Sequence, residues 1–381
     1  MGGNTTEGTA RMEEFALIRL LKEAGEAAQA GVPRQPGEGE SVEATGAGSG
    51  VVVGIGDDAA VCEVSPGRQL VLACDTMVET IHFHERTMRP ADIGHKAMVS
   101  NLSDLAAMGA EPRYALVALS APASADASWL GQLYEGLYAC AARYGAAIVG
   151  GDTTASPGGL TITVTVIGEV EPGRALLRSG AQPGDRVFVT GYPGCSAAGL
   201  HRLLRSGPAS RAEAAGAEPA DADAAAADGS PPEGAWAALV RAHRRPEPRV
   251  AAGRLLQRSG ACRSLNDVSD GVASEAWEIA EASGCRFVLR EAAFPVHAEL
   301  RAYADETGQD PLDWALYGGE DYELLGTAAA GEAERVEALF REAGIPFHYI
   351  GETVAGEPGV ELLRVDGRRE PVGKRGYNHF A

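Results

Sequence analysis

The sequence predicts a mixed α/β chain in two halves, and three observations carry that reading. Its 381 residues exceed what one ordinary core encloses, and 45% of them are apolar, enough for a sizeable interior. Short β-prone runs alternate with helically spaced apolar stretches along both halves. A turn-rich segment, EPGRALLRSGAQPGD at 171–185, lies between them.

The elements can be read in order. Residues 12–24 place Phe15, Leu17, Ile18, Leu20 and Leu21 on a helical spacing. A Gly-, Glu- and Ala-rich connection follows at 25–50. Strand-like runs come at 51–54, 69–74 and 113–119, and helices at 91–109 and 126–144. AAIVGGD and LTITVTVIGEV then read as strands. Beyond the turn-rich segment come RVFVT, helices near 195–205, 247–258 and 272–283, and the strands RFVLR and YELLGTA. Residues 206–232 are low in complexity and read as an insertion, because Pro and Gly punctuate a stretch with few bulky side chains. The domains expected are therefore 1–175 and 176–381.

Bulk chemistry narrows the partners. With 53 acidic and 33 basic side chains the net charge is −20, which argues against nucleic acid. No apolar run is long enough to span a bilayer, and the N-terminus lacks the basic and apolar regions of a secretory signal. The six cysteines are scattered without a C-x-x-C pair, as expected of buried thiols in a reducing cytoplasm. Only Lys22, Lys96 and Lys374 are lysines.

GIGDDA at 54–59 matches the dinucleotide fingerprint G-x-G-x-x-A. That fingerprint must open a helix whose N-terminus receives pyrophosphate. Here VCEV, Pro66-Gly67 and RQLVLACD follow, which read as strand, turn and strand. Two aspartates at the variable positions would also repel a bare pyrophosphate. No P-loop pattern is present. His82 and His84 in IHFHE form an H-x-H pair, but no third ligand is suitably spaced for zinc.

A recurring feature carries more weight. Asp58, Asp75, Asp104, Asp152, Asp267 and Asp270 each stand where a strand or helix meets a loop, beside Gly, Ser or Thr. Singly, each reads as a turn residue or helix cap, and Asp270 before GVASEAWEIA is such a candidate. Together they suit hard cations such as Mg²⁺, which take carboxylate oxygens together with substrate phosphates. The expectation is that they converge. Asp104 should lie off the apolar stripe of Met98, Leu102, Leu105 and Gly109.

The ordered motifs GIGDDAAV, LVLACDTMVETIHF, KAMVSNLSDLAAMGA, IVGGDTT, LLRSGAQPGD, LNDVSDGV, YGGEDYEL and GYNHF resemble the thiamine-monophosphate kinase family. The resemblance runs from about residue 13 to the end. It implies a two-domain, aminoimidazole-ribonucleotide synthetase-like fold. In that fold the N-terminal domain pairs its sheet with a second subunit in a homodimer, and the C-terminal domain is α/β. It also implies transfer of the ATP γ-phosphoryl to thiamine phosphate, giving thiamine diphosphate. It places several Mg²⁺ ions on Asp58, Asp75, Asp104, Asp152, Asp267 and Asp270, assisted by Thr76. Gly151, Asp152, Arg178 and Ser269 would approach ATP, and His82, Glu320 and Tyr377 would contact thiamine phosphate. The chain departs from the family at Ala73-Cys74, where Ser-Thr is usual, so a side-chain oxygen ligand is lost there.

Phosphoryl transfer needs positioning and charge neutralisation more than covalent chemistry. A phosphate monoester has a second pKa of about 6 and is largely ionised near neutrality, so the acceptor needs no general base. Direct in-line transfer without a phospho-enzyme is expected. Two alternatives stay open at this level. One is another ATP-using synthetase of the same superfamily; the other is a non-catalytic, metal-dependent nucleotide-binding dimer.

Overall fold

The computed structural model describes residues 50–55, 59–205 and 236–376. The helix expected over 12–24, the 206–232 insertion, Asp58 and Tyr377 lie outside the described residues, as does nearly all of the 25–50 connection.

A short antiparallel pair, β1 (Val51–Val53) with β2 (Val61–Cys62), precedes the first sheet. That sheet comprises β3 (Gln69–Val78), β4 (Glu111–Pro122), β5 (Ala147–Ser156) and β6 (Thr161–Val170), in the order β3-β6-β4-β5. Strand β6 shows why the sheet has two characters. Ile162, Val164 and Val166 are buried, and Thr161, Thr163 and Thr165 alternate with them on the other face. The buried face packs beneath α1 (Pro90–Ala107) and α2 (Ala127–Arg143). Pro90 starts α1 at a position that needs no N–H donor, and the Asp126 carboxylate caps α2 by accepting from Trp129 N at 2.9 Å. The two helices cross closely at Gly94 and Gly136. A Cβ at either would strike a backbone carbonyl, of Leu133 and Ala91 respectively.

The second domain follows the turn-rich segment. Its strands are β7 (Arg186–Thr190), β8 (Cys262–Val268), β9 (Arg286–Arg290), β10 (Glu323–Ala328), β11 (Phe347–Val354), β12 (Gly359–Leu363) and β13 (Arg369–Pro371). They form one sheet in the order β13-β12-β9-β11-β7-β10-β8. The helices are α3 (Cys195–Arg205), α4 (Ala237–Arg244), α5 (Val250–Ser259), α6 (Val272–Ser283), α7 (Ala298–Thr307), α8 (Pro311–Tyr317) and α9 (Ala333–Glu342). Alternation along β7 feeds both faces of this sheet. Val187 and Val189 join a core with Val272, Ala276 and Ile279 of α6, while Phe188 joins Leu256 of α5 and Phe340 of α9.

Helix α1 departs from the expected single stripe. Besides Met98, Leu102 and Leu105 it buries Lys96, Ser100, Asn101 and Ser103. The reason is its position: it packs against β3 and β6 on one side and against α5 and β8 of the second domain on the other. Ala106 and Ala107 at its end belong to the second domain's core. Polar side chains on this helix are therefore sealed between two domains, where each must find a partner.

Candidate active site

A cleft of about 900 Å³ opens beside α1, and Asp75, Thr76, His82, Ser269, Asp270 and Glu320 are on its wall. They come from the end of β3, the turn after it, the β8–α6 turn and the segment between α8 and β10. Sequence positions separated by more than two hundred residues are thus neighbours only in the fold.

Asp75 lies within β3 on its covered side, with buried Met77 beyond it, rather than where the strand meets a loop. It stands opposite buried Val164 of β6, and its N–H donates to Asn101 Oδ1 of α1 at 2.9 Å. Asp267 lies near the end of β8 and accepts from Ser103 Oγ at 2.7 Å. Asp104 is the next residue on α1. Burial raises the pKa of Asp104, and Asp267 and Asp75 raise it further, with Arg178 opposing. Burial likewise raises Asp267; the Ser103 hydroxyl eases that shift and the charge of Asp75 adds to it. Asp75 is raised by burial and eased by His82 and Ser100. Three carboxylates therefore disturb one another in a half-dry setting. Carboxylate oxygens are donors that hard cations take, yet among the described residues no group of three or more His, Cys, Asp or Glu side chains is drawn close enough to hold a metal ion.

Full convergence of the aspartates does not hold within one chain. Asp152 leaves the first sheet on the opposite face from Asp75. The register aligns Thr76 with Thr163, Thr163 with Ala118, and Ala118 with Asp152, and this row lies on the uncovered side. Thr76 Oγ1 sits 2.8 Å from Thr163 Oγ1 along it. The physical reason is the two-residue period of strands: adjacent Asp75 and Thr76 must point apart. Gly151 also has a local explanation, since a Cβ there would strike the Val117 carbonyl oxygen of β4.

Asp270 is not the side-chain cap of α6. Gly271 holds the capping position without a side-chain bond, and Asp270 N–H donates to Glu275 Oε1 at 3.2 Å. Arg178 stands beside the acidic group. Its Nε donates to Asn266 Oδ1 at 3.0 Å, and a terminal nitrogen pairs with Glu278 at 3.1 Å. Ser269 Oγ is 3.5 Å from Glu275 Oε1. His82 Nδ1 accepts from Val78 N and His84 Nδ1 from Arg86 N, both at 3.0 Å, so each ring is committed to its own turn.

The acids of YGGEDYEL take three separate tasks. Glu320 reaches the cleft. Asp321 is buried and accepts from Gly194 N at 2.6 Å and Ser196 N at 3.0 Å at the start of α3, and burial still pushes its pKa up to about 7. Glu323 accepts a fork of bonds from Arg249, both at 2.6 Å. Glu320 and Tyr322 have φ of 66° and 52°, a left-handed backbone that costs each about 1–3 kcal/mol and persists where surroundings hold it. Sequence reading missed Asn101, Ser103 and Lys96 behind the wall, and His243 on it. One available signal was Lys96, a rare lysine inside the otherwise small and apolar IGHKAMVSNL.

Comparison with known proteins follows this geometry. Residues 56–170 match the family described as AIR synthase related protein, N-terminal domain, and 182–362 match the corresponding C-terminal domain. The chain is 40% identical over 332 residues to a thiamine-monophosphate kinase of Bacillus subtilis, covering 87% of this chain and 94% of that protein. A crystal structure of a thiamine-monophosphate kinase from Stenotrophomonas maltophilia superposes with a TM-score of 0.73 at 32% identity, covering 94% of this chain and 98% of the other. A structure of AaThiL complexed with AMPPCP and TMP gives a TM-score of 0.68 at 28% identity, covering 99% and 100%.

Proposed function

This chain belongs to the thiamine-monophosphate kinase family, whose members are phosphotransferases, and from that premise we propose that its cleft brings ATP and thiamine phosphate together for in-line phosphoryl transfer. ATP is the co-substrate. The observation that carries the reading is a cleft lined by Asp75, Ser269, Asp270, His82 and Glu320, with Asp104 and Asp267 near enough to Asp75 to feel its charge. Both reactants are polyanions, and bringing them together beside carboxylates calls for added positive charge. Asp75, Asp104 and Asp267 do not by themselves form a metal cage among the described residues, so substrate phosphates would have to complete a Mg²⁺ site with them, with Asp270 and Thr76 at the cleft wall. Bound there, the ion would neutralise phosphate charge during transfer. The protein's own residues do the remainder. Arg178 presents a guanidinium beside the acids, toward the triphosphate. Ser103 and Asn101 hold Asp267 and the Asp75 backbone in place from α1. Glu320 and His82 line the acceptor side.

We assign the uncovered face of the first sheet to a second copy of the chain. Leu70, Leu72 and Leu116 are exposed on it beside a row of threonines, an apolar surface that a homodimer would bury. Asp152, on that side, would meet nucleotide there, with the backbone of Gly151 beside it in β5. Among the described residues no helix is long and apolar enough to cross a membrane, and a cytoplasmic location is proposed with the scattered free thiols in mind. The relatives' activity disfavours a sister synthetase or a non-catalytic nucleotide binder.

The test is an assay of purified protein with ATP, Mg²⁺ and thiamine phosphate. Stoichiometric thiamine diphosphate and ADP are expected. Turnover only with a different acceptor, or a labelled phospho-enzyme accumulating with ATP alone, would overturn the reading.

A further inference from the structure

The Glu320 carboxylate is held from behind by a charge that does not line the cleft. Lys96, on α1, is 0% exposed, and its Nζ donates to Glu320 Oε2 at 2.5 Å. Nδ1 of His243, itself 2% exposed, lies 3.5 Å from that Nζ and 3.6 Å from the same carboxylate oxygen. The three residues come from α1, α4 and the segment between α8 and β10, so the cluster joins both domains. A fully buried ammonium is costly unless paired and hydrogen-bonded. Glu320 supplies the pairing, and in exchange one carboxylate oxygen is fixed in direction. His243 is kept neutral by burial and by Lys96, so the cluster as a whole carries no net charge.

That neutrality changes what Glu320 can recognise. A lone carboxylate attracts any cation. A carboxylate already neutralised by a buried ammonium acts mainly as an oriented hydrogen-bond acceptor. We propose that Lys96 is a positioning residue that fixes Glu320 as an acceptor toward N–H donors of the phosphorylated substrate, so that the cleft selects amino-bearing rings rather than positive charge. This rests on the reading that thiamine phosphate, whose pyrimidine carries an amino group, occupies the cleft.

The experiment compares wild type, Lys96→Met, Glu320→Gln and the double variant. Steady-state kinetics are run against each substrate, with calorimetric binding of thiamine phosphate and thermal melts alongside. If wild type neither binds nor turns over thiamine phosphate, the functional reading fails first and this inference with it. With an active wild type, Lys96→Met should raise KM for thiamine phosphate at least tenfold. KM for ATP should stay within twofold and kcat within about threefold. The double variant should match Glu320→Gln within twofold, because Lys96 acts only through Glu320. Multiplying effects, equal changes in both KM values, or a lowered melting temperature with unchanged kinetics would overturn the proposal. If Lys96→Met does not fold, Glu320→Gln against the double variant decides: equal KM values support positioning, and a further rise overturns it.

Discussion

The two faces of the four-stranded sheet are made from the same strands, yet they behave as different surfaces. On the covered face Asp75 stands opposite buried Val164 with its N–H on Asn101 of α1, and Asp104 and Asp267 both feel its charge. On the uncovered face Thr76, Thr163 and Asp152 stand in a row, and Leu72, 64% exposed, lies on the same face four residues along β3 from Thr76. One residue of register separates Asp75 from Thr76, and it decides which world each enters. The comparison teaches that a carboxylate acquires unusual chemistry through what covers it. Strand position alone does not confer it.

The largest effect should come from the covered side. Asp104→Asn is expected to lower kcat/KM by about 100- to 1,000-fold in Mg²⁺, the range seen when charge stabilisation is removed at a transition state. The same variant should melt about 2–4 °C higher than wild type in EDTA at pH 8, where the acidic group repels itself. The sign follows from the shift. A carboxyl whose folded pKa is raised supports stability at low pH and loses that contribution as pH rises through the folded value. Equal activity, or a lower melting temperature, would break the contrast between faces.

Next comes His95 on α1, whose Nε2 lies 2.9 Å from the Pro246 carbonyl oxygen and whose pKa burial lowers to about 4. The unfolded chain binds this proton near pH 6.5, so stability is complete above that value and is lost as pH falls toward 4. The loss amounts to about 3 kcal/mol. Chemical denaturation across this window should show the slope in wild type and a shallower one in His95→Gln.

The uncovered face is tested by Leu72→Glu. If a second copy covers it, two like charges enter one interface, and sedimentation should show the dimer weakened by at least about 2 kcal/mol. A wild type that sediments as a monomer would remove the proposed role of this face. The smallest effect belongs to Thr163→Val, which deletes the exposed hydroxyl pair with Thr76. It should alter stability by about 0.5 kcal/mol or less.

Much of the fold was legible beforehand because it rests on local patterns. The helix read at 272–283 is α6 at Val272–Ser283, and the run at 160–170 is β6 from Thr161 to Val170. Helices α4, α7, α8 and α9 were not singled out, because each is only seven to ten residues long and gives a periodic pattern too few turns to stand out. Among the site residues, the motif acids could be found, but their partners could not. Asp321 and Glu323 share a motif with Glu320, yet one caps α3 and the other binds Arg249.

By itself, then, the sequence determined the two-domain α/β class, the order of the strands' apolar faces and the family, because periodicity and ordered motifs are carried by near neighbours. Only tertiary structure decided that Asp75, Asp104 and Asp267 share a field while Asp152 stands across the sheet, and that Lys96 lies behind Glu320. Those relations join residues up to 224 positions apart. Burial and electrostatic coupling depend on distance through space, which the order of residues along a chain does not encode.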